Sequence, residues 1–594
     1  MGLMFKWFIG INAFILFLNY TVSAVRNSQS PSLSHLIAII AMIYLISRLN
    51  HTLKLSGATP VFRFIGKFLV FIFKPIQWLF VGFLNPTKGS RWAKWWETYW
   101  LLNRNHTGFV LDGKNKKLSE KASYNNLLCA SPVESGKTSV LALSNIFHLA
   151  GTGASMIIMD VKPSKEDSGM GELYRLSSGY LNQKNYNLKV FNLMDVSRSI
   201  HFNPLAHLSK DEFLVFNEIQ AIANIVIETA NGKGEQNGSQ KYWTDSAKKH
   251  TVNFINALKA ISEQDERYKR YFNLVNVRHL LGQCNFFDDR KKGLSDLDNF
   301  MLQAGAINPS VSQEYTTALN GNPTTLASEI SSAVTALSSL SNPSLASLMG
   351  SSDFSFDELR DKKTALFINV NVTDLEQGTF DLVVKIFFNQ LLNSLRHSLK
   401  KADQPVFMML DEIGHFAIDN LPGFMGTARE YKVAVMILLQ NINQLNSHYG
   451  ENRAKTIREN ALTQLCFGGS KGETARYFSD EAGRTRFAAK QRGADFSLHR
   501  EDTVITPSEI TTAKSENIFC TYAKSYPMKF KANPYYRHPK YRKYAQLKPL
   551  PIPKSKKLTV PIIDLEEFSR QTNQPFEPEA FHPDPDTLAT DHEQ

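Results

Sequence analysis

Apolar residues follow three different rhythms along this chain. Near the start they run almost unbroken, from Trp7 to Val25 and again from Leu33 to Ser47, without one Asp, Glu, Lys or Arg in either stretch. Each approaches the length that crosses a hydrocarbon layer, and no small-residue cleavage site separates them, so a hairpin of two transmembrane helices is predicted over residues 1–50. Only Arg26 lies between them, whereas Arg48, Lys54, Arg63, Lys67 and Lys74 follow. That asymmetry puts the N-terminus and the bulk of the chain in the cytoplasm. A third apolar run, Phe62 to Leu84, carries three of those cations near one helical face and is interrupted by Pro75. It reads as a basic interfacial segment within residues 51–88 rather than a third span.

The second rhythm is short β-rich runs separated by helical periodicity. Leu127 onward (LLCA), Ser155–Asp160, Leu188–Leu193, Thr364–Val372, Pro405–Leu410, Val433–Leu439 and Glu516–Tyr522 are the strand candidates, with a strand-like HTGFVLDG at 106–113. Strands alternating with helices imply βαβ units, hence an α/β fold with a mostly parallel sheet and its chemistry at the strand C-termini. The third rhythm fills residues 211–349, where apolar positions recur at helical spacing and β-rich runs are absent. This predicts an all-α domain inserted between two halves of the α/β unit, residues 89–210 and 350–545. Beyond a basic, tyrosine-rich stretch (KFKANPYYRHPKYRKYAQ), residues 546–594 read as a Pro-rich, acidic, disordered tail.

Composition changes this picture in two ways. The net charge of +12 over 594 residues suits a polyanion or an anionic membrane surface. Cys129, Cys284, Cys466 and Cys520 have no metal-ligand spacing and read as reduced, buried or incidental thiols.

The candidate chemistry begins where the first strand ends. Ser131-Pro132-Val133-Glu134-Ser135-Gly136-Lys137-Thr138-Ser139 follows an apolar strand and opens a helix. This is the layout of a phosphate-binding loop: N–H groups at a helix start face an anion, Lys137 reaches β/γ-phosphates, and the Thr138 hydroxyl ligates Mg²⁺. Ser131 stands where glycine is usual and Glu134 where a small residue is common, which bears on nucleotide affinity. Far downstream, PVFMML delivers Asp411 and Glu412. Asp411 would hold Mg²⁺ and Glu412 would polarise the attacking water. Gln440, after the next strand, is placed to sense the γ-phosphate, and Arg429, expected in a helix, could reach the transition state of a neighbouring subunit. The pair of motifs predicts ATP and Mg²⁺ as ligands.

Taken together, GSRWA (Gly89–Ala93), ASPVESGKT (Ala130–Thr138), MDVKPSKE (Met159–Glu166), HFNPL (His201–Leu205), LDEIGHF (Leu410–Phe416), AREYKVAVMILLQNINQLNSHYG (Ala428–Gly450), ETARYFSDEAG (Glu473–Gly483) and ITPSEI (Ile505–Ile510) resemble the type IV secretion coupling proteins, the TraG/TraD family of conjugative DNA-transfer ATPases. The resemblance implies a RecA-like P-loop NTPase domain with a cytoplasmic all-α insertion, anchored in the bacterial inner membrane as a multi-pass protein. It also implies homohexamers around a DNA channel, with single- or double-stranded DNA, relaxase and relaxosome proteins, and secretion-channel components as partners. It gives Lys137, Thr138, Asp411, Glu412, Gln440 and Arg429 the roles above, and it implies that Asp160 and Lys162 line the loop after the second strand, with Asp160 among the cofactor-binding residues. Three other readings share parts of this pattern. One is a coupling protein for effector proteins, and another is a non-hydrolysing membrane scaffold. The third, a chromosome-segregating translocase, would carry a C-terminal winged helix, of which the tail shows no helical pattern.

Overall fold

The computed structural model describes residues 90–231, 238–284, 294–397, 404–490, 497–554 and 559–571. The chain divides into two units, Met1–Lys88 and Gly89–Gln594. The predicted transmembrane hairpin and interfacial segment belong to the first and lie outside the described residues, as does 572–594.

The second unit is built on a nine-stranded sheet, ordered β11-β10-β7-β1-β6-β5-β2-β4-β3. The strands are β1 (Leu127–Ala130), β2 (Ser155–Asp160), β3 (Asn187–Asn192), β4 (Thr364–Asn369), β5 (Val406–Asp411), β6 (Val433–Leu439), β7 (Thr463–Phe467), β10 (Asn517–Tyr522) and β11 (Met528–Lys531). A separate antiparallel ribbon joins β8 (Arg484–Lys490) to β9 (Ser497–Thr503). All pairings among β1 to β7 are parallel, and β10 and β11 close one edge antiparallel.

The central strands are unbroken apolar runs because both faces of the sheet are covered. Leu128, Ile157, Leu366, Met408 and Val435 enter one core, and Leu127, Met156, Phe367, Phe407 and Met436 enter the other. Burying each such side chain stabilises by about 1.5–3 kcal/mol, so the alternation in SMIIMD, VFMML and VAVMILL fixes register on both sides at once.

Among the described residues the insertion between β3 and β4 holds helices and no strand, as its periodicity predicts, from Glu212–Asn231 to Pro343–Met349. Three of its helices start with the same device. Asn308, Asn322 and Asn342 cap them through side-chain oxygens that accept backbone N–H groups, each with proline in the first turn. In Leu337–Leu345 (LSSLSNPSL) the result is a short 3₁₀ turn followed by a helix. Glu212–Ala230 is apolar and long enough to cross a membrane, but Ile219, Ile222, Ala223, Val226 and Ile227 are buried in the core shared with the sheet.

Three expectations are corrected, and one strand, β7, is added. HTGFVLDG forms only an isolated bridge, Val110 to Lys117, because its Asp112 side chain turns back onto the N–H groups of Lys114, Asn115 and Lys116. The basic KFK stretch is not beyond the sheet: it is edge strand β11, with Met528 buried and Lys529 and Lys531 on the exposed rim, a composition that suits an edge. β7 (TQLCF) carries too short an apolar pattern to stand out. Two described stretches of the tail are packed where disorder is expected. Residues 546–554 pack on the sheet's helical layer through Leu547 and Ile552, with Leu550 N–H donating to Ser178 Oγ at 3.0 Å. Residues 559–571 cross to the insertion and end in a helix, Leu565–Gln571. There Asn276 donates to Pro561 O at 3.0 Å and accepts from Ile563 N–H at 2.9 Å, while Phe568 packs edge-on against Phe300 and Tyr268. A few apolar residues at the right spacing outweigh the acidic composition.

Candidate nucleotide-binding site

β1 feeds the loop Ser131–Gly136, and Lys137 heads a π-helical turn, Thr138–Ala142, that runs into the helix Leu143–Thr152. Gly136 has φ of 98°, a conformation that glycine adopts without steric cost. Glu134 is also left-handed, at φ 62°, which costs a side-chain-bearing residue about 1–2 kcal/mol. It is exposed beside Val133 at the loop tip, so its carboxylate stays hydrated outside the cradle. Ser131 is fully buried, its hydroxyl donating to Ala130 O at 2.7 Å and accepting from Phe467 N–H at 2.8 Å. The hydroxyl therefore ties the loop to β7 and satisfies a backbone donor that glycine would leave unmet. Ser139 Oγ closes the turn on Gly136 O at 3.1 Å.

Two distant segments converge on this loop. Because β1 pairs with β6 and β6 with β5, Asp411 at the end of β5 arrives beside the first helical turn. Thr138 Oγ1 donates to Asp411 Oδ2 at 3.1 Å, across 273 residues of sequence. Lys162, in the loop after β2, places Nζ 3.4 Å from Thr138 Oγ1 and 3.4 Å from Glu412 Oε1. Lys137 is buried, its ammonium donating to the carbonyls of Ser131 and Pro132, the latter at 3.0 Å. Glu412 is held left-handed at φ 57°, a strained conformation for a residue with a side chain, and its N–H bonds Leu438 O at 3.1 Å.

Burial sets the electrostatics. It lifts the Asp411 carboxyl above its ordinary range, with Lys162 pulling the other way and Glu412 adding to the rise. It lowers the Lys137 ammonium, against the attraction of Cys129, Glu412 and Asp411. Asp411 Oδ1, Glu412 Oε2 and Ser135 Oγ are buried without a hydrogen-bond partner, and a buried polar atom left unpaired costs ~1–3 kcal/mol. These orphaned oxygens, with the Thr138 hydroxyl, are the hard donor set that fits Mg²⁺. Among the described residues no three His, Cys, Asp or Glu side chains cluster as a metal site, so a cation here would complete its shell with phosphate oxygens and water, as Mg²⁺ commonly does.

The remaining predicted residues fall in three places. Gln440 follows Leu439, whose carbonyl accepts the Ser131 N–H at 3.0 Å, so it stands at the base of the loop. Its own N–H donates to Gln444 Oε1 at 2.8 Å. Asp160 Oδ1 accepts the N–H of Lys162 at 3.4 Å, in the loop after β2. Its Oδ2 accepts the N–H groups of Leu173 and Tyr174 at 2.6 and 3.3 Å, capping the helix Glu172–Gln183, and burial pushes its carboxyl up to about 7. Arg429 lies in a turn after the helix Leu421–Thr427, not in the helix, and is exposed. It precedes β6, at the sheet edge opposite the phosphate loop.

Sequence reasoning missed Gly414 and Gln444. A Cβ on Gly414 would sit 2.4 Å from the Gln444 side chain, so this glycine is where the turn after Glu412 meets the turn after Gln440. No spacing rule links the two, since the contact is made only once β5 and β6 are paired. Asn369 was missed too; it ends β4 fully buried with both amide atoms unpaired.

Comparison with known proteins bears on the family and the fold. The family model for type IV secretory system conjugative DNA transfer matches residues 99–558. VirD4 of Rhizobium radiobacter is 23% identical over 375 residues, covering 61% of this chain and 48% of the relative. VirD4 of Agrobacterium fabrum is 22% identical over 430 residues, covering 69% and 58%. The chain thus spans about half the length of the curated relatives it matches. Among solved structures, the unbound conjugative coupling protein TrwBdeltaN70 aligns with a TM-score of 0.56 at 15% identity, covering 76% of this chain and 94% of that one. TrwB in complex with ADP and Mg²⁺ aligns at 0.53 and 15%, covering 76% and 95%. The sheet with its helical insertion is therefore the RecA-like coupling-protein fold, and the chain belongs to the type IV secretory system conjugative DNA transfer family.

Proposed function

We propose that this protein is an ATP-hydrolysing coupling motor of the bacterial inner membrane that recruits a relaxase–DNA complex and drives single-stranded DNA into a type IV secretion channel. The observation that carries the reading is the Thr138–Asp411 contact, which joins the two halves of a nucleotide site from opposite ends of the motor. Lys137 would exchange its two loop carbonyls for β/γ-phosphate oxygens, so its positive charge is already desolvated where the phosphates arrive. Thr138 and Asp411 would hold Mg²⁺, which neutralises phosphate charge when bound. Glu412, paired with Lys162 on one oxygen and free on the other, would orient the attacking water. Gln440 would report on the γ-phosphate. Arg429, on the far edge of its own sheet, can serve the reaction only from a neighbouring subunit, which supports a ring. The cargo assignment rests on family membership and on the net charge of +12, which suits grip on phosphates without base readout.

The test is turnover by the full chain in lipid nanodiscs. Wild type should release phosphate from ATP faster with single-stranded DNA. Lys137→Ala should lower that rate on the order of 10³-fold with membrane insertion and melting temperature retained, and should abolish DNA transfer between cells. Normal transfer by Lys137→Ala would refute the motor.

A further inference from the structure

The helix Trp95–Leu101 (WWETYWL) has no buried residue, although four of its seven side chains are aromatic. Trp95, Tyr99 and Trp100 are 76%, 56% and 79% exposed, and Trp92 just before the helix is 36% exposed. Trp95 and Tyr99, four residues apart, share one helical face to form a stripe, with Trp100 on its flank, while Trp92, before the helix, sets its ring 6.3 Å from that of Phe519. The stripe does not belong to a loose end. Ser90 N–H donates to Arg484 O at 2.7 Å, Ala93 N–H donates to Pro527 O at 2.8 Å, and the Arg91 guanidinium lies 3.9 Å from the Tyr526 ring centre. Glu97, the one acid, is spent on the body side, accepting from Arg91 at 2.6 and 2.9 Å and from Lys94 N–H at 2.7 Å. One face is thus fastened and internally neutralised, and the other offers only aromatic surface.

We propose that this aromatic stripe seats in the headgroup layer of the bilayer and fixes how the motor stands on the membrane. The proposal rests on the membrane-anchored reading above. Large rings with one polar edge, Trp and Tyr above all, are enriched where one side of the contact is apolar and the other wet. Lys94, whose ammonium lies 5.0 Å from the centre of the Trp96 ring, is the cation beside the stripe that Glu97 does not pair, and it favours anionic lipid. Chain length makes the contact accessible. Five residues separate Leu84, where the last N-terminal apolar run ends, from Ser90, a reach of at most ~20 Å. The position suits the chemistry as well. Tyr526 and Pro527 lie between β10 and β11, at the edge where the parallel strands begin, so a bilayer there leaves the phosphate-loop edge open. Stacking on bases would demand the same rings, and a second copy of the chain could cover them. Neither explains why the stripe lies so few residues after the apolar runs.

The experiment places p-benzoylphenylalanine at position 99 or 100 of the full chain, or at Tyr242, exposed in the insertion, as control. Each chain is reconstituted into vesicles of phosphatidylethanolamine, phosphatidylglycerol and cardiolipin and irradiated with a single-stranded oligonucleotide present. Phospholipid adducts at 99 and 100, at least tenfold above the level at 242, support the proposal. Crosslinks to a second chain or to the oligonucleotide without lipid adducts overturn it, as does lipid labelling equal to the control. Flotation of the vesicles separates the two readings. A chain that floats but gives no lipid adduct sinks the stripe and leaves the anchor standing, whereas a chain that fails to float sinks both.

Discussion

The two edges of the sheet are finished in opposite ways. At the C-terminal edge, Lys137, Asp411 and Glu412 are each at most 5% exposed and already touch one another's neighbours. At the N-terminal edge, Arg429 and the aromatic stripe are exposed and have their chemistry pointed away from the fold. A group that must act within its own subunit is held in place and desolvated by strands on either side. A group that, on the proposed function, meets another surface is carried on a turn or a short helix and left exposed. The difference shows which residues to test in the isolated subunit and which to test only in an assembly.

The largest effect should come from Asp411→Asn. Removing one negative charge from the Thr138 contact should lower ATP turnover on the order of 10²–10³-fold, and raising Mg²⁺ should not restore it. Burial already holds this carboxyl above its ordinary range, so the same substitution should keep or raise the melting temperature near neutral pH. A variant that is both inactive and unfolded would show that Asp411 supports the fold, and the contrast between the edges would weaken.

If Arg429 serves a neighbouring subunit as proposed, Arg429→Ala should be nearly as severe in turnover yet leave nucleotide affinity within about twofold, because such an arginine acts on the transition state. Mixed with Lys137→Ala subunits, it should recover part of the activity. Loss of nucleotide binding by Arg429→Ala alone, or no recovery at any mixing ratio, would place the arginine elsewhere.

How much of this was legible beforehand depends on what each feature needed. The strands β2, β5 and β6 were plain, because a strand buried on both faces writes itself as an unbroken apolar run. So was the all-α insertion, whose periodicity is long. The loop and the Asp411-Glu412 pair could be joined because each sits at a strand's C-terminal end, where parallel sheets gather their chemistry. Asp160 shares that position and was assigned to the ligand for the same reason, yet its carboxylate went to the nearest unsatisfied N–H groups, those at the start of the Glu172–Gln183 helix. The ordered segment 559–571 was hidden because Ile563 and Phe568 are only two apolar residues in an acidic, proline-rich setting. Gly414 was hidden because its reason is a neighbour thirty residues away.

That neighbour supplies a milder test. Gly414→Ala would bring a methyl group 2.4 Å from the Gln444 side chain, which must then shift. Gln444 holds the N–H groups of Gln440 and Asn441 at 2.8 and 3.3 Å. Turnover should fall several-fold with KM for ATP little changed, since the loop and Asp411 are untouched. An equal loss in Gly414→Ala and in Gly414→Ala combined with Gln444→Ala would mean that the crowding is not transmitted through Gln444.

The smallest effect should be seen only as a pH dependence, and it asks whether burial at the C-terminal edge always serves catalysis. Asp160 is buried against the Glu172–Gln183 helix with Asp411 as its charged neighbour, and its carboxyl is pushed up to about 7 from an ordinary value of 3.8. A carboxyl raised in the folded state binds its proton more tightly there than in the unfolded chain. Its stabilising contribution is therefore fully present below about pH 4 and is lost as the pH rises to about 7. Above that, the fold carries a buried charge. In Asp160→Asn, the amide oxygen can still accept the N–H groups of Leu173 and Tyr174, but no charge develops. Melting curves at pH 5, 6.5 and 8 should show the wild type losing a few degrees relative to the variant across that span, with turnover at saturating ATP changed less than twofold. Parallel curves would mean that those N–H groups fully offset the buried charge. A large loss of turnover would return Asp160 to the nucleotide site, and the edge would be catalytic along its whole length.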